Sequence, residues 1–231
     1  MNIITHERQP VAGIDVAKYQ GRVQVPRARP PWLRYFAFKA TDTKKVPEMG
    51  VDPQLVTNRT AGIDMNVRWR PIYMYLRDPA LWGSMAEQFA LYTQAVGKLE
   101  TGECVMVDWE AHELTLEDIR ELEHMIEVVY GRRWVMYVND QNSDMTRWLD
   151  ENVAAGSPVP VIHPNYSEYG LSEAKRWDAA VWQVGIAERS TCPEPFELYP
   201  EASGIDVDWV LKPHVMDHVC GRSIFGGYEN Q

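Results

Sequence analysis

Short apolar or alternating runs recur along this chain at intervals that leave room for a helix between them. They fall at residues 12–19, 35–41, 70–76, 104–110, 134–139, 159–166, 179–185 and 205–211, and their length and spacing predict eight strands. Two of the intervening stretches carry helical period. Leu81, Met85, Phe89, Tyr92 and Val96 follow Asp78-Pro79 and predict one helix. Leu116, Ile119, Leu122, Ile126, Val129 and Tyr130 predict a second. Thr115 and Asp118 have capping-box spacing at its start, and Gly131 supplies its C-cap. Strand and helix in alternation call for an α/β fold with a parallel sheet, and about eight strands in 231 residues call for a TIM-like barrel rather than an open sheet. The proline-dense segment 25–31 reads as one surface loop.

Composition narrows the field. With 45% hydrophobic and 24% charged residues, the chain suits one globular domain with a large core, or at most two small ones. No apolar stretch is long enough to span a bilayer, and the first residues lack a signal peptide's basic flank and apolar region. The expectation is a soluble monomer made in the cytoplasm, with no membrane insertion. A net charge of −10 argues against nucleic acid, whose phosphates are bound by Lys and Arg. Cys104, Cys192 and Cys220 are too few and too irregularly spaced for a disulfide framework or a zinc ribbon, and Cys104 reads as a buried thiol. His214 and His218 have a spacing that could hold a metal on a helix, but no third ligand motif accompanies them, so neither metal nor cofactor is expected. Nine tryptophans and eleven tyrosines lean toward a carbohydrate site, because sugar rings stack on aromatic faces.

The most informative segment is Val105-Met106-Val107-Asp108-Trp109-Glu110. Side chains on a strand alternate, so Asp108 and Glu110 share a face about 6.6 Å apart along the backbone. Two acids so close raise one pKa and leave the other group ionised, the division that general acid catalysis needs. By the same parity Asp15 opposes Ile14 and Val16, and Asp206 and Asp208 share a face of the last strand. In a parallel barrel the strands' C-terminal ends carry the function. Three strands therefore aim carboxylates at one mouth.

The ordered set of motifs resembles glycoside hydrolase family 25, the lysozyme-like muramidases common among bacteriophage endolysins. Gly13-Ile14-Asp15-Val16-Ala17-Lys18-Tyr19-Gln20-Gly21 is similar to the family's opening signature, and Phe38-Lys39-Ala40-Thr41 to its second strand. Asp52-Pro53, Asn58 and Ala61-Gly62 follow its next helix pattern. Asp108-Trp109-Glu110 resembles its D-x-E, Tyr137-Val138-Asn139 its Y-x-N, Trp182-Gln183 its W-Q and Val207-Asp208 its final V-D. The resemblance covers residues 11–212, which leaves 1–10 as an N-terminal extension and 213–231 as a C-terminal tail. It implies a single flattened (β/α) barrel with irregular late strands. It also implies hydrolysis of the β-1,4 bond between N-acetylmuramic acid and N-acetylglucosamine in peptidoglycan glycan strands, reached after release from the host cell.

Carried over residue by residue, the resemblance makes Glu110 the general acid and Asp108 the stabiliser of developing positive charge, held ionised, with Asp15 and Asp208 completing the catalytic set. Asp206 competes with Asp208 for the last place. Tyr137, Tyr166, Trp182 and Lys39 are the candidate substrate contacts. The chemistry is open between a covalent intermediate and attack by the substrate's own acetamido oxygen. The chain departs from the family at Asp42-Thr43, where Glu-Gly is usual, and lacks the sixth-strand Trp within 161–166. Two other classes stand beside the muramidase: a catalytically silent wall-binding barrel, and a metal-dependent hydrolase that uses the acids as ligands.

Overall fold

A computed structural model describes residues 11–42, 50–139, 141–164, 170–187 and 194–221. Tyr166, Thr43 and Cys192 lie outside them. Eight strands close into a barrel in sequence order: β1 (Val11–Val16), β2 (Tyr35–Asp42), β3 (Arg70–Tyr75), β4 (Glu103–Trp109), β5 (Trp134–Val138), β6 (Val161–Pro164), β7 (Val181–Ala187) and β8 (Ile205–Val210). The helices are α1 (Leu55–Asp64), α2 (Pro79–Trp82), α3 (Met85–Val96), α4 (Leu116–Tyr130), α5 (Ser143–Ala154), α6 (Gly170–Arg176) and α7 (Pro213–Val219).

The strands are buried on both faces, as barrel strands wrapped by helices must be. Alternation sorts their residues into two cores. Ile14, Phe36, Phe38, Ile72, Val105, Val107 and Met136 point outward and pack beneath the helices. Tyr35, Ala37, Tyr73, Cys104, Met106 and Tyr137 point inward and fill the barrel. β1 lies so close to β2 that a Cβ on Gly13 would stand 2.4 Å from the Tyr35 carbonyl oxygen, which only glycine avoids.

Two expectations need correction. The sheet is not wholly parallel: β8 runs antiparallel to both β7 and β1. Nor does one helix run through residues 78–96. Gly83, at φ 98°, ends α2, and Ser84 opens α3 with a capping box to Glu87, so the apolar period continues across a break.

The direction of β8 decides how the barrel is closed. It carries the chain to the end where the parallel strands begin, and α7, within the segment expected as a tail, packs there. Met216, Val219 and Cys220 of this helical segment join the interior cluster with Tyr35, Trp69 and Cys104. Asp217 accepts two bonds from Arg68, at 2.9 and 2.7 Å, and one from the Trp69 indole at 2.9 Å. The thiols of Cys104 and Cys220 are free and buried, 3.5 Å apart. One end of the barrel is thereby plugged, and the other is open.

Candidate active site

Inward-facing positions at the open end build a cleft of about 200 Å³ lined by Asp15, Lys39, Tyr73, Tyr75, Asp108, Glu110, Tyr137, Gln183 and Asp206, with Tyr19 and Gln20 at its edge. A larger groove of about 340 Å³ lies between α4 and α5. Its charges are largely satisfied among themselves: Arg120 pairs with Glu123 and Glu151, and the Trp148 indole donates to Glu123. None of the strand-end carboxylates reaches it, so the smaller cleft is where the chemistry can be.

β4 supplies the deep and the rim acid of one pair. Asp108 is buried at 6% exposure, and its Oδ1 has no hydrogen-bond partner among the described residues. Glu110 follows the last residue of β4 and is partly exposed. Burial pushes the Asp108 carboxyl well above the ordinary range, the Glu110 charge adds to this, and Lys39 opposes it. Asp108, the group expected to be held ionised, is thus the buried acid of the two, and its surroundings oppose its ionisation.

β1 adds Asp15, whose carboxyl is raised chiefly by burial and then by the charge of Asp206, which stands directly opposite in the β1–β8 register. Gln183 counters this by donating from Nε2 to Asp15 Oδ2 at 2.5 Å. Its own Oε1 accepts a 2.8 Å bond from the Tyr137 hydroxyl. Tyr137 therefore fixes which end of the Gln183 amide meets the acid. It is a deep positioning group, at 6% exposure, more than an open platform.

The last strand places its two acids at different depths. Asp206 lines the cleft, while Asp208 pairs with Gly13 further inside the barrel at 1% exposure. Neither Asp208 oxygen has a hydrogen-bond partner among the described residues, and burial with the nearby Asp15 and Asp206 charges holds its carboxyl well above the ordinary range. Trp182 is not brought to the cleft. Alternation turns it to the outer face of β7, where it packs edge-to-face on Trp209 with centroids 5.3 Å apart.

Lys39 stands inside the mouth, 4.7 Å from the Tyr75 ring centroid and 3.5 Å from Asp42. The Tyr75 hydroxyl, partly buried and near Asp108 and Glu110, is pushed up to about 12. Tyr75, Gln183 and Tyr19 were not among the residues expected to line the cleft. Tyr75 and Gln183 follow from strand parity once the neighbouring strands are registered; Tyr19, 67% exposed, carries only its place in the opening signature. Among the described residues no three His, Cys, Asp or Glu side chains gather to hold a metal.

No family profile and no curated protein matches the chain. Its structure is similar to that of a family 25 glycosyl hydrolase from Bacillus anthracis, with a TM-score of 0.60 and 15% identity over 93% of this chain and 95% of that one. At that identity the likeness establishes the shared barrel.

Proposed function

We propose that the protein is a glycoside hydrolase that cleaves the β-1,4 bond between N-acetylmuramic acid and N-acetylglucosamine in peptidoglycan. The observation that supports this most is the meeting of Asp15, Asp108, Glu110 and Asp206 in one cleft with Lys39, in a barrel shared with a family 25 glycosyl hydrolase. Packing alone gives no reason to gather four acids there, since like charges repel and burying a carboxylate is costly.

Glu110 protonates the leaving glycosidic oxygen, because it is the acid of the β4 pair that the cleft exposes. The Glu110 charge is among the influences that oppose ionisation of Asp108, so the two acids of β4 are electrostatically linked. Positive charge developing at the sugar carbon beside Asp108 favours that group's ionised form, with Lys39 near enough to support it. The pair's proton is then on Glu110, where the departing oxygen needs it. Asp108 balances the developing charge, and whether it orients the substrate's acetamido group or bonds to the sugar is set by the substrate's pose. Gln183, fixed by Tyr137, holds Asp15 at the floor. Asp206 faces the cleft from β8, and Asp208 lies beneath the floor.

Turbidity loss of purified cell walls, with and without a chelator, tests this reading. Lysis indifferent to chelator is expected. Lysis abolished by chelator would favour metal-assisted hydrolysis, and binding without lysis a silent barrel.

A further inference from the structure

Arg77 has no part in that chemistry and does not itself line the cleft, yet it packs directly behind Tyr75, which does. It lies two residues beyond β3, whose last residue, Tyr75, stands opposite Asp108 in the β3–β4 register. Its backbone is clamped by Gln88, whose Oε1 accepts from the Arg77 amide at 3.1 Å and whose Nε2 donates to its carbonyl at 2.9 Å. Its Nε and Nη2 both donate to Asp42 Oδ1, at 3.0 and 2.8 Å. The guanidinium carbon stands 4.4 Å from the Tyr75 ring centroid and 6.0 Å from that of Trp82.

Asp42 can reach it because β2 shifts register between Lys39 and Thr41, which turns Asp42 to the same side as Lys39. A carboxylate, itself nearly buried, thereby fixes an arginine beside the cleft. Nη1 is left without a hydrogen-bond partner among the described residues, on a side chain 29% exposed. Lys39 and Arg77 together outnumber Asp42 in charge.

Among the described residues that line the cleft, the charged side chains other than Lys39 are the acids Asp15, Asp108, Glu110 and Asp206, so an anionic group on a substrate is best received on the side of Lys39 and Arg77. A guanidinium already held in place loses little freedom when it binds a carboxylate, and its remaining edge offers planar donors suited to one. We propose that Arg77, fixed by Asp42 beside Tyr75, is an anion-reading subsite for the carboxylate borne by a muramoyl residue, either its lactyl group or the stem peptide joined to it. The inference rests on the muramidase reading and gives it a source of selectivity over uncharged N-acetylglucosamine polymers.

The test compares kcat/KM on three soluble glycan preparations of equal length: peptide-bearing, peptide-stripped with free lactyl carboxylates, and stripped with those carboxylates amidated. The wild type is expected to favour the preparation that bears the recognised carboxylate, peptide-linked or lactyl, over the amidated one about tenfold, mostly in KM, as one charge-assisted contact allows. Arg77→Gln should erase that preference, and Arg77→Lys should keep part of it. A higher wild-type kcat/KM on the peptide-bearing strands than on the stripped ones assigns the contact to the peptide, and the reverse assigns it to the lactyl group. Equal wild-type kcat/KM on all three preparations overturns the subsite and leaves the muramidase reading standing. So does an equal loss on all three in Arg77→Gln, which marks a structural role. Inactivity of the wild type on all three overturns both. The wild-type comparison alone decides if the variant does not fold.

Discussion

β4 and β8 carry the same device in opposite directions. Each places two acids two residues apart on its inner face, Asp108 and Glu110 on one and Asp206 and Asp208 on the other. β4 runs toward the open end, so its second acid is at the rim and its first beneath it. β8 runs away from the open end, so its first acid is in the cleft and its second is sealed inside the barrel. Spacing alone therefore assigns no roles. Chain direction decides which carboxylate lines the cleft and which is enclosed in the interior, and depth in turn sets desolvation, the largest influence on the Asp15, Asp108 and Asp208 carboxyls alike.

The largest effect is expected at the rim of β4. Glu110→Gln fills the same volume but has no proton to give, so kcat/KM on a soluble glycan fragment should fall by about 10²–10⁴ with the thermal midpoint little changed. Retention of more than about half the wild-type rate would remove Glu110 from the role. On β8 the order is inverted with respect to the chain. Asp206→Asn is expected to lower kcat/KM about tenfold, and Asp208→Asn by no more than about threefold. The reverse ranking in the same assay would mean that the deeper acid is the functional one.

The buried acids also predict how stability responds to pH. A carboxyl whose pKa is raised in the folded state binds its proton there more tightly than in the unfolded chain. Stability from such a group is full below the unfolded value of about 3.9 and declines as pH rises through that value toward the folded one. With Asp15, Asp108 and Asp208 all raised, the thermal midpoint should fall from pH 4.5 toward neutrality. Asp208→Asn should flatten that decline by a few degrees, which scanning calorimetry across the range would detect. An unchanged slope in the variant would show that Asp208 is ionised despite its burial.

The smallest effects separate Tyr137 from Trp182. Tyr137→Phe frees the Gln183 amide and should cost a few-fold in kcat with little change in KM. Trp182→Phe opens space on the outer face against Trp209 and should lower the thermal midpoint by a few degrees with kcat/KM unchanged. Loss of substrate binding in Trp182→Phe would bring that ring back to the cleft.

Most of the barrel was legible in the sequence because strands buried on both faces read as apolar runs, and because Thr115, Asp118 and Gly131 mark helix ends by local bonding alone. Parity was enough to bring Asp15, Asp108 and Glu110 together. Direction was not legible, since a strand and its reverse have the same hydrophobic pattern, and the ranking of Asp208 over Asp206 rested on motif likeness. The break at Gly83 was hidden by a period that continues through it. The Asp42–Arg77 contact depends on a register shift between two strands, which no single segment announces. Trp182 shows the limit of composition: an aromatic on a strand is as free to face the helices as the cleft, and here its neighbour Gln183 took the inward position.

The central claim is the identity of the bond that is cut. Purified peptidoglycan digested with the wild-type protein, reduced with borohydride and examined by mass spectrometry, reports which sugar carries each new reducing end. A muramidase leaves reduced N-acetylmuramic acid at the new ends, and none above background is expected with Glu110→Gln. Reduced N-acetylglucosamine, or no new reducing ends from the wild type, would contradict it.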